Sequence, residues 1–246
     1  MSGTLGSGIG PGSVPLALVT AERPPPELVL VGAGGFARET AEAVKAINAI
    51  HPHFDLLGFV DDDPTLAGAK VDGLPVLGPL SEVAHLPQAQ VIVCTGNPGN
   101  YFSRKRIVRR LALDPARYAT VIHPAAVLPE SCWIGPGSVL LAGVVATAAV
   151  SIGAHVAVMP TVVLTHDNEV GDFATIATGV RLSGAVRVRE GAYLGAGALV
   201  REGREVGAWS LVGLGAVVLG DVPAYEVWAG VPARRLRQVE VPADLG

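Results

Sequence analysis

The chain has 246 residues, half of them apolar and 16% charged, with a formal net charge of −4. A chain of this length holds one large or two ordinary domains with a sizeable core. The mild charge and the lack of basic residues interleaved with aromatics argue against a nucleic-acid binder. The groups Arg104-Lys105-Arg106 and Arg109-Arg110 read as the solvated face of a helix.

Glycine, serine and proline dominate residues 1–26, and the short apolar run at 14–19 follows no basic segment. This stretch reads as a flexible tail, neither signal peptide nor membrane span. A buried strand is expected at Leu28-Val29-Leu30-Val31, followed at once by Gly32-Ala33-Gly34-Gly35-Phe36 and an amphipathic helix to about Ile47. Glycines between a strand and a helix let a ligand approach the backbone, and free N–H groups at the helix start favour a phosphate. The alternative is that Gly34 and Gly35 serve only close helix–strand packing. A second strand over 56–60 ends in Asp61-Asp62-Asp63, carboxylates placed where ribose hydroxyls could be held. A third run, Val91-Ile92-Val93-Cys94, leads through a turn into a helix expected from Tyr101 to Leu111. Residues 27–117 therefore read as a small Rossmann-like α/β domain of nucleotide- or sugar-binding type. Cys94 and Cys132 are expected to be buried free thiols, in keeping with a reducing cytoplasm.

From Ile122 to Val218 an aliphatic residue or alanine falls at every sixth position, with a second, mostly small or β-branched set four residues after each. Both sets must face inward. A six-residue unit with one short strand and one sharp corner is the mark of a stacked β-helix, three units making an eighteen-residue coil. The period does not fix the hand of the coil. Among the inward positions Asn168 brings an amide and Arg204 a charge, and a buried amide needs a partner.

One stretch of this array, Leu164-Thr165-His166-Asp167-Asn168, sets a histidine beside a carboxylate at a corner, where both side chains can project outward. The residues eighteen positions away from His166 are Ala148 and Gly184, which should leave open space above and below the imidazole. Histidine suits proton removal from a nucleophile near neutrality, Asp167 can orient the ring, and backbone N–H groups near Gly184 can meet an oxyanion. His155 lacks an adjacent acid and reads as a surface residue, His123 before Pro124 as a domain-junction residue. No cluster of metal ligands stands in the sequence.

The glycine turn, Asp61-Asp62-Asp63-Pro64, Gly73-Leu74-Pro75-Val76-Leu77-Gly78, Ile122-His123-Pro124, the six-residue array, His166-Asp167 and Ala229-Gly230-Val231-Pro232-Ala233 follow in one order. In that order the chain resembles bacterial sialic-acid O-acetyltransferases and nucleotide-amino-sugar N-acetyltransferases, over nearly all of residues 27–237. The resemblance implies a left-handed parallel β-helix of hexapeptide repeats over 118–222, closed by a segment at 223–246. It also implies a homotrimer with active sites at subunit interfaces, acetyl-CoA as acyl donor and a nucleotide-linked or acidic sugar as acceptor, with no nucleic acid or membrane partner. By the same resemblance His166 and Asp167 are catalytic. Gly184, Ala196, Gly197, Gly213 and Leu214 line the coenzyme groove, and Gly32, Gly34, Gly35, Phe36, Asp61 and Asp62 meet the acceptor sugar. The basic pair Arg234-Arg235 could meet the coenzyme's phosphates. Phe36, Met159 and Thr175 depart from the family's usual histidine, asparagine and second histidine, and Leu214 is bulkier than the pattern. The leading expectation is N-acetylation of a nucleotide-linked amino sugar. O-acetylation of a sialic-acid-like sugar, or a silent hexapeptide-repeat scaffold that senses a metabolite, are the alternatives.

Overall fold

The structure is a computed structural model in which residues 24–242 are described, so the tail expected over 1–26 lies outside the described residues apart from its last three. Side chains alternate across a strand, and β1 (Glu27–Val31) uses that alternation to build two cores. Leu28 and Leu30 pack with Ala37, Ala41 and Val44 of α1 (Gly35–Asn48), while Val29 and Val31 pack on the opposite face with Ile107 and Val108 of α2 (Ser103–Leu111). The sheet is completed by β2 (Asp55–Val60), β3 (Lys70–Val71), β4 (Leu74–Gly78) and β5 (Gln90–Val93) in the order β3-β4-β2-β1-β5. All pairings are parallel except the β3–β4 hairpin. Helices cover both faces, which is why β1 and β5 read as unbroken apolar runs.

From β6 (Val121–Ile122) the chain winds into coils whose strands are two residues long. In one coil Ser151–Ile152, Ala157–Val158 and Val163–Leu164 lie on three successive faces. Each pairs in parallel with the strand one coil on, Ile152 with Val170, Val158 with Ile176 and Leu164 with Leu182. Both inward sets are sealed: Leu164, Ile176, Leu182, Val162, Ala174 and Val180 are all at most 1% exposed. Each such aliphatic side chain contributes about 1.5–3 kcal/mol by leaving water. Corner residues adopt the left-handed conformation, among them Ala149, Asp167 and Ala185 at φ 51°, 59° and 57°. That conformation costs an L-residue about 1 kcal/mol, offset here by the backbone ladder. Ile122, Ala126, Leu128 and Ile134 of the first coil are only partly buried, and the hairpin of Glu226–Gly230 and Ala233–Gln238 closes the far end.

Arg204 does not point inward. Its carbonyl stays in the ladder, accepting the Arg187 N–H at 3.0 Å, while the side chain turns out toward Asp221 at 3.7 Å. The strand Glu205–Val206 is the last of its sheet, so the guanidinium escapes to solvent and avoids a desolvation cost of several kcal/mol.

The two units share a core, since Val121, Val139 and Leu141 of the coils pack in one cluster with Leu28 and Leu30. α2 lies against the coils, so the expected solvated basic face holds for Arg109 and Arg110, which are exposed, but not for Arg104, which is 1% exposed, or Lys105, which pairs with Glu190 at 2.6 Å. The helix also begins at Ser103, because Tyr101 and Phe102 are drawn onto the coil residue Trp209. Phe102 stacks on its ring at 4.7 Å and the Tyr101 hydroxyl donates to its carbonyl at 3.0 Å. Among the described residues no helix is long and apolar enough to cross a membrane.

Candidate active site

His166 and Asp167 stand on the corner that follows the strand Val163–Leu164. Aspartate tolerates the left-handed backbone that this corner demands. The Asp167 N–H donates to Ala148 O at 2.9 Å, and His166 O accepts the Ala185 N–H at 2.9 Å, so the neighbouring coils clamp the pair from both sides. The Asp167 carboxylate reaches back to His166 Nδ1 at 2.8 Å. With Nδ1 as the donor of that bond, Nε2 is left as the basic atom of a neutral ring. The two side chains are 65% and 62% exposed, so the pair occupies an open corner of the chain rather than a closed cavity.

The space expected on the Gly184 side of the imidazole is taken up by the ring itself. A Cβ at Gly184 would overlap Cε1 and Nε2 of His166, so the ring fills the room that this glycine leaves. Asn168, fully buried, donates through Nδ2 to Ser183 O at 2.8 Å and so pins the residue before Gly184 to the histidine's own coil. Its Oδ1 has no partner among the described residues. The Gly184 N–H has no acceptor among the described residues.

His155 sits on a different corner and is not a surface residue. It is 7% exposed, stacked on Phe173 at 5.0 Å and set edge-on to Tyr118 at 4.6 Å. Burial, aided by the nearby Arg104 charge, pushes its pKa down to about 4.

At the carboxyl edge of the α/β sheet the glycines divide into two kinds. Gly32 has φ +96°, and a Cβ there would meet Thr95 Cγ2 at 3.0 Å and Cys94 O at 3.1 Å, so the fold itself requires glycine. Gly34 and Gly35 are exposed, and a Cβ on either would meet nothing within 4 Å. Packing therefore does not explain these two, and the open space before the first turn of α1 suits a ligand that approaches the backbone. Asp61 accepts the Ala33 N–H at 2.8 Å and the Asp63 N–H at 2.9 Å, bracing the turn. Asp62 accepts the Leu80 N–H at 2.8 Å and pairs with Arg110 at 2.6 Å, contacts that hold its carboxyl below the usual range. Both line a cavity of about 120 Å³ with Gly32, Val31 and Thr95.

Residues 27–111 match the family described as the PglD N-terminal domain. The whole arrangement is similar to the acetyltransferase domain of PglB from Neisseria gonorrhoeae FA1090 in complex with acetyl coenzyme A. The two are 31% identical with a TM-score of 0.77, over 86% of this chain and 100% of that one. The chain belongs to the bacterial sugar acetyltransferases of the hexapeptide-repeat family. The stack of coils is accordingly a left-handed parallel β-helix. A histidine variant of perosamine N-acetyltransferase from Caulobacter crescentus, in complex with CoA and GDP-perosamine, is 30% identical with a TM-score of 0.75. That match covers 86% of this chain and 97% of that one. A GDP-perosamine N-acetyltransferase from Escherichia coli O157:H7 is 29% identical over 168 residues, 67% of this chain and 73% of that relative.

Within this family member the expected donor-side residues fall on two corners. Gly184 shares the corner of His166, whereas Ala196, Gly197, Gly213 and Leu214 follow the strands Tyr193–Leu194 and Leu211–Val212 on the preceding corner. One face of the prism separates them, carrying Val145, Val163, Leu199 and Val217 outward with the exposed Arg181 between. Leu214 is 81% exposed, and Gly197 has open space where a Cβ would lie. Phe36 and Met159 both pack against the apolar cluster under α1. Thr175 faces the α/β unit, where its hydroxyl accepts from Arg104 at 2.7 Å. Of the terminal basic pair, Arg235 is paired with Glu226 at 2.8 Å and Arg234 donates to Ala233 O at 2.9 Å. His123, at the junction, accepts the Ala125 N–H through Nδ1 at 3.0 Å.

Sequence reasoning missed the contact between α2 and the coils. Its signal was nonetheless present, because His155, Phe173 and Trp209 are spaced by multiples of eighteen residues and so share one corner. Large rings in one column of a β-helix corner need a cover.

Proposed function

We propose that this chain transfers an acetyl group from acetyl-CoA to the amino group of a nucleotide-linked amino sugar, with His166 as general base. The observation that carries the reading is the 2.8 Å bond between His166 Nδ1 and Asp167, which leaves Nε2, set beside Gly184 on an open corner, as the ring atom to take a proton. Attack of an amine on a thioester makes a C–N bond, breaks the C–S bond and releases one proton from nitrogen. Nε2 of His166 takes that proton, and Asp167 holds the ring in the required tautomer and favours the imidazolium that results. Negative charge develops on the thioester oxygen, and the free Gly184 N–H is a donor beside the base. The acetyl group passes directly from sulfur to nitrogen.

The acceptor's nucleotide lies against the Gly34-Gly35 turn, where open space and the start of α1 suit a diphosphate. That relatives were solved in complex with acetyl-CoA, CoA and GDP-perosamine supports the choice of donor and acceptor. The donor corner at Ala196, Gly197 and Leu214 lies across a face from His166, so a complete groove needs a second copy, and the active form is a homotrimer. Cys94 and Cys132, both free thiols, suit a reducing compartment such as the cytoplasm.

The test is acetyl transfer by the full chain to GDP-, UDP- and dTDP-linked amino sugars, with sedimentation to give the mass of the assembly. Transfer to one of these by a trimer is the expected result. Binding of a nucleotide sugar with no transfer to any of them makes the chain a sensor scaffold, and an active monomer contradicts the shared groove.

A further inference from the structure

Arg104, on the first turn of α2, is the one guanidinium that is buried among the described residues. Its Nε donates to His155 O at 3.0 Å and its Nη1 to Thr95 O at 2.8 Å. Its Nη2 donates to Phe173 O at 2.8 Å, Ala174 O at 3.1 Å and Thr175 Oγ1 at 2.7 Å. These acceptors are neutral, so the cation has been desolvated with no carboxylate among the described residues paired to it. An apolar side chain of similar size would close such an interface at equal or lower cost. What the guanidinium adds is direction, because its rigid fork fixes several carbonyls at once.

The two ends of this fork lie on opposite sides of the domain boundary. Thr95 follows β5, lines the 120 Å³ cavity beside Gly32, Asp61 and Asp62, and backs the glycine turn through its methyl group. Gly96 is held at φ +122°, and a Cβ there would meet Arg104 Nη1 at 3.0 Å, so the loop is shaped around the guanidinium. On the other side, His155 belongs to the coil that carries His166, and Phe173, Ala174 and Thr175 follow on the next, seven to nine residues after that base in the chain. Contacts thus run without a break from the acceptor cavity through Thr95 and Arg104 to the coil of the base.

We propose that Arg104 is a positioning residue: it fixes the wall of the nucleotide cavity relative to the His166 coil, so that an acceptor anchored by its nucleotide presents its amine at the base. The inference rests on the reading that the glycine turn holds the acceptor's nucleotide. It explains why Thr175 stands on the next coil as a hydroxyl, since a side chain that accepts the guanidinium is needed there.

The experiment compares the wild-type and R104K full chains with acetyl-CoA as donor. The acceptors are a GDP-linked amino sugar and the same sugar without its nucleotide. Lysine keeps the charge but lacks the fork. Loss of alignment far from the chemistry costs up to about a hundredfold, so kcat/KM for the GDP-linked acceptor is expected to fall about tenfold more than for the free sugar, with KM for acetyl-CoA within about twofold. Equal losses on the two acceptors, or none on either, overturn the inference. Should R104K fail to fold, Thr175→Val removes one acceptor alone and is expected to give the same selective loss at about threefold, the worth of one hydrogen bond, with recovery in Thr175→Ser. Hydrogen exchange reads the coupling without turnover. Adding GDP slows exchange at residues 155–158 and 173–176 in the wild type and not in Thr175→Val, whereas no slowing in the wild type overturns the inference. A wild-type chain that shows this slowing but transfers no acetyl group refutes the function proposed above and leaves the coupling standing.

Discussion

Two histidines occupy corners of the same β-helix, and their surroundings assign them opposite fates. His166 is 65% exposed, bonded to Asp167 and set beside a glycine. His155 is 7% exposed, sandwiched between aromatic rings beneath the α/β unit and held neutral by burial and by Arg104. Both corners turn through one left-handed residue, His155 itself at φ 55° and Asp167, next to His166, at φ 59°. The difference is what covers the corner, and it separates a residue able to exchange protons with a substrate from one that serves only as packing.

The largest effect expected from this contrast is on turnover. His166→Ala should lower kcat by about 10²–10⁴ as a general base is lost. Because the side chain is exposed, its melting curve should move by no more than about 0.5 kcal/mol in stability. His155→Asn, which tolerates the left-handed corner, should do the reverse, with kcat within about twofold and a stability loss of about 1–3 kcal/mol from broken packing. Equal effects of the two substitutions would erase the distinction.

Gly184→Ala comes next. The added methyl overlaps the imidazole, and a displaced base should cost about ten- to a hundredfold in kcat with little change in KM for either substrate. A normal kcat in this variant would show that the position of the ring beside Gly184 has no catalytic weight.

The buried histidine should show itself in the pH dependence of stability. Below its ordinary value of 6.5 the unfolded chain takes up a proton that the folded chain refuses until about pH 4. Stability that is fully present above pH 6.5 is therefore lost as pH falls toward 4, by about 3 kcal/mol in all. Urea titrations across this window should show the slope in the wild type and its reduction in His155→Asn; an unchanged slope would assign it to other groups.

The smallest expected change is at Gly34. The site has room for a methyl and an ordinary backbone, φ −78°, so Gly34→Ala should leave stability within about 0.5 kcal/mol. KM for the nucleotide sugar should nevertheless rise by about three- to tenfold through lost approach to the backbone. An unaltered KM would remove the turn from the acceptor site.

The coil architecture was legible because a β-helix repeats one local rule, and Leu164, Leu182 and Val200 each announce the same inward position eighteen residues apart. His166 was legible for the same reason, since a polar pair stands out against a periodic background. The contact between the units was not. A helix bearing Arg104, Lys105 and Arg106 has the charge pattern of a solvated surface, and only the packing of α2 on the coils reveals that Arg104 meets five acceptors. The same gap led His155 to be read as exposed. The period says which way a side chain leaves its own coil and says nothing of what waits outside.

A crystal structure of the chain with CoA and a GDP-linked amino sugar tests the central claim most directly. The account predicts the sugar's amine nitrogen within about 3.2 Å of His166 Nε2, or one water away, with the nucleotide at the Gly34-Gly35 turn. An amine bound out of reach of that nitrogen, or a nucleotide bound away from the turn, would contradict it.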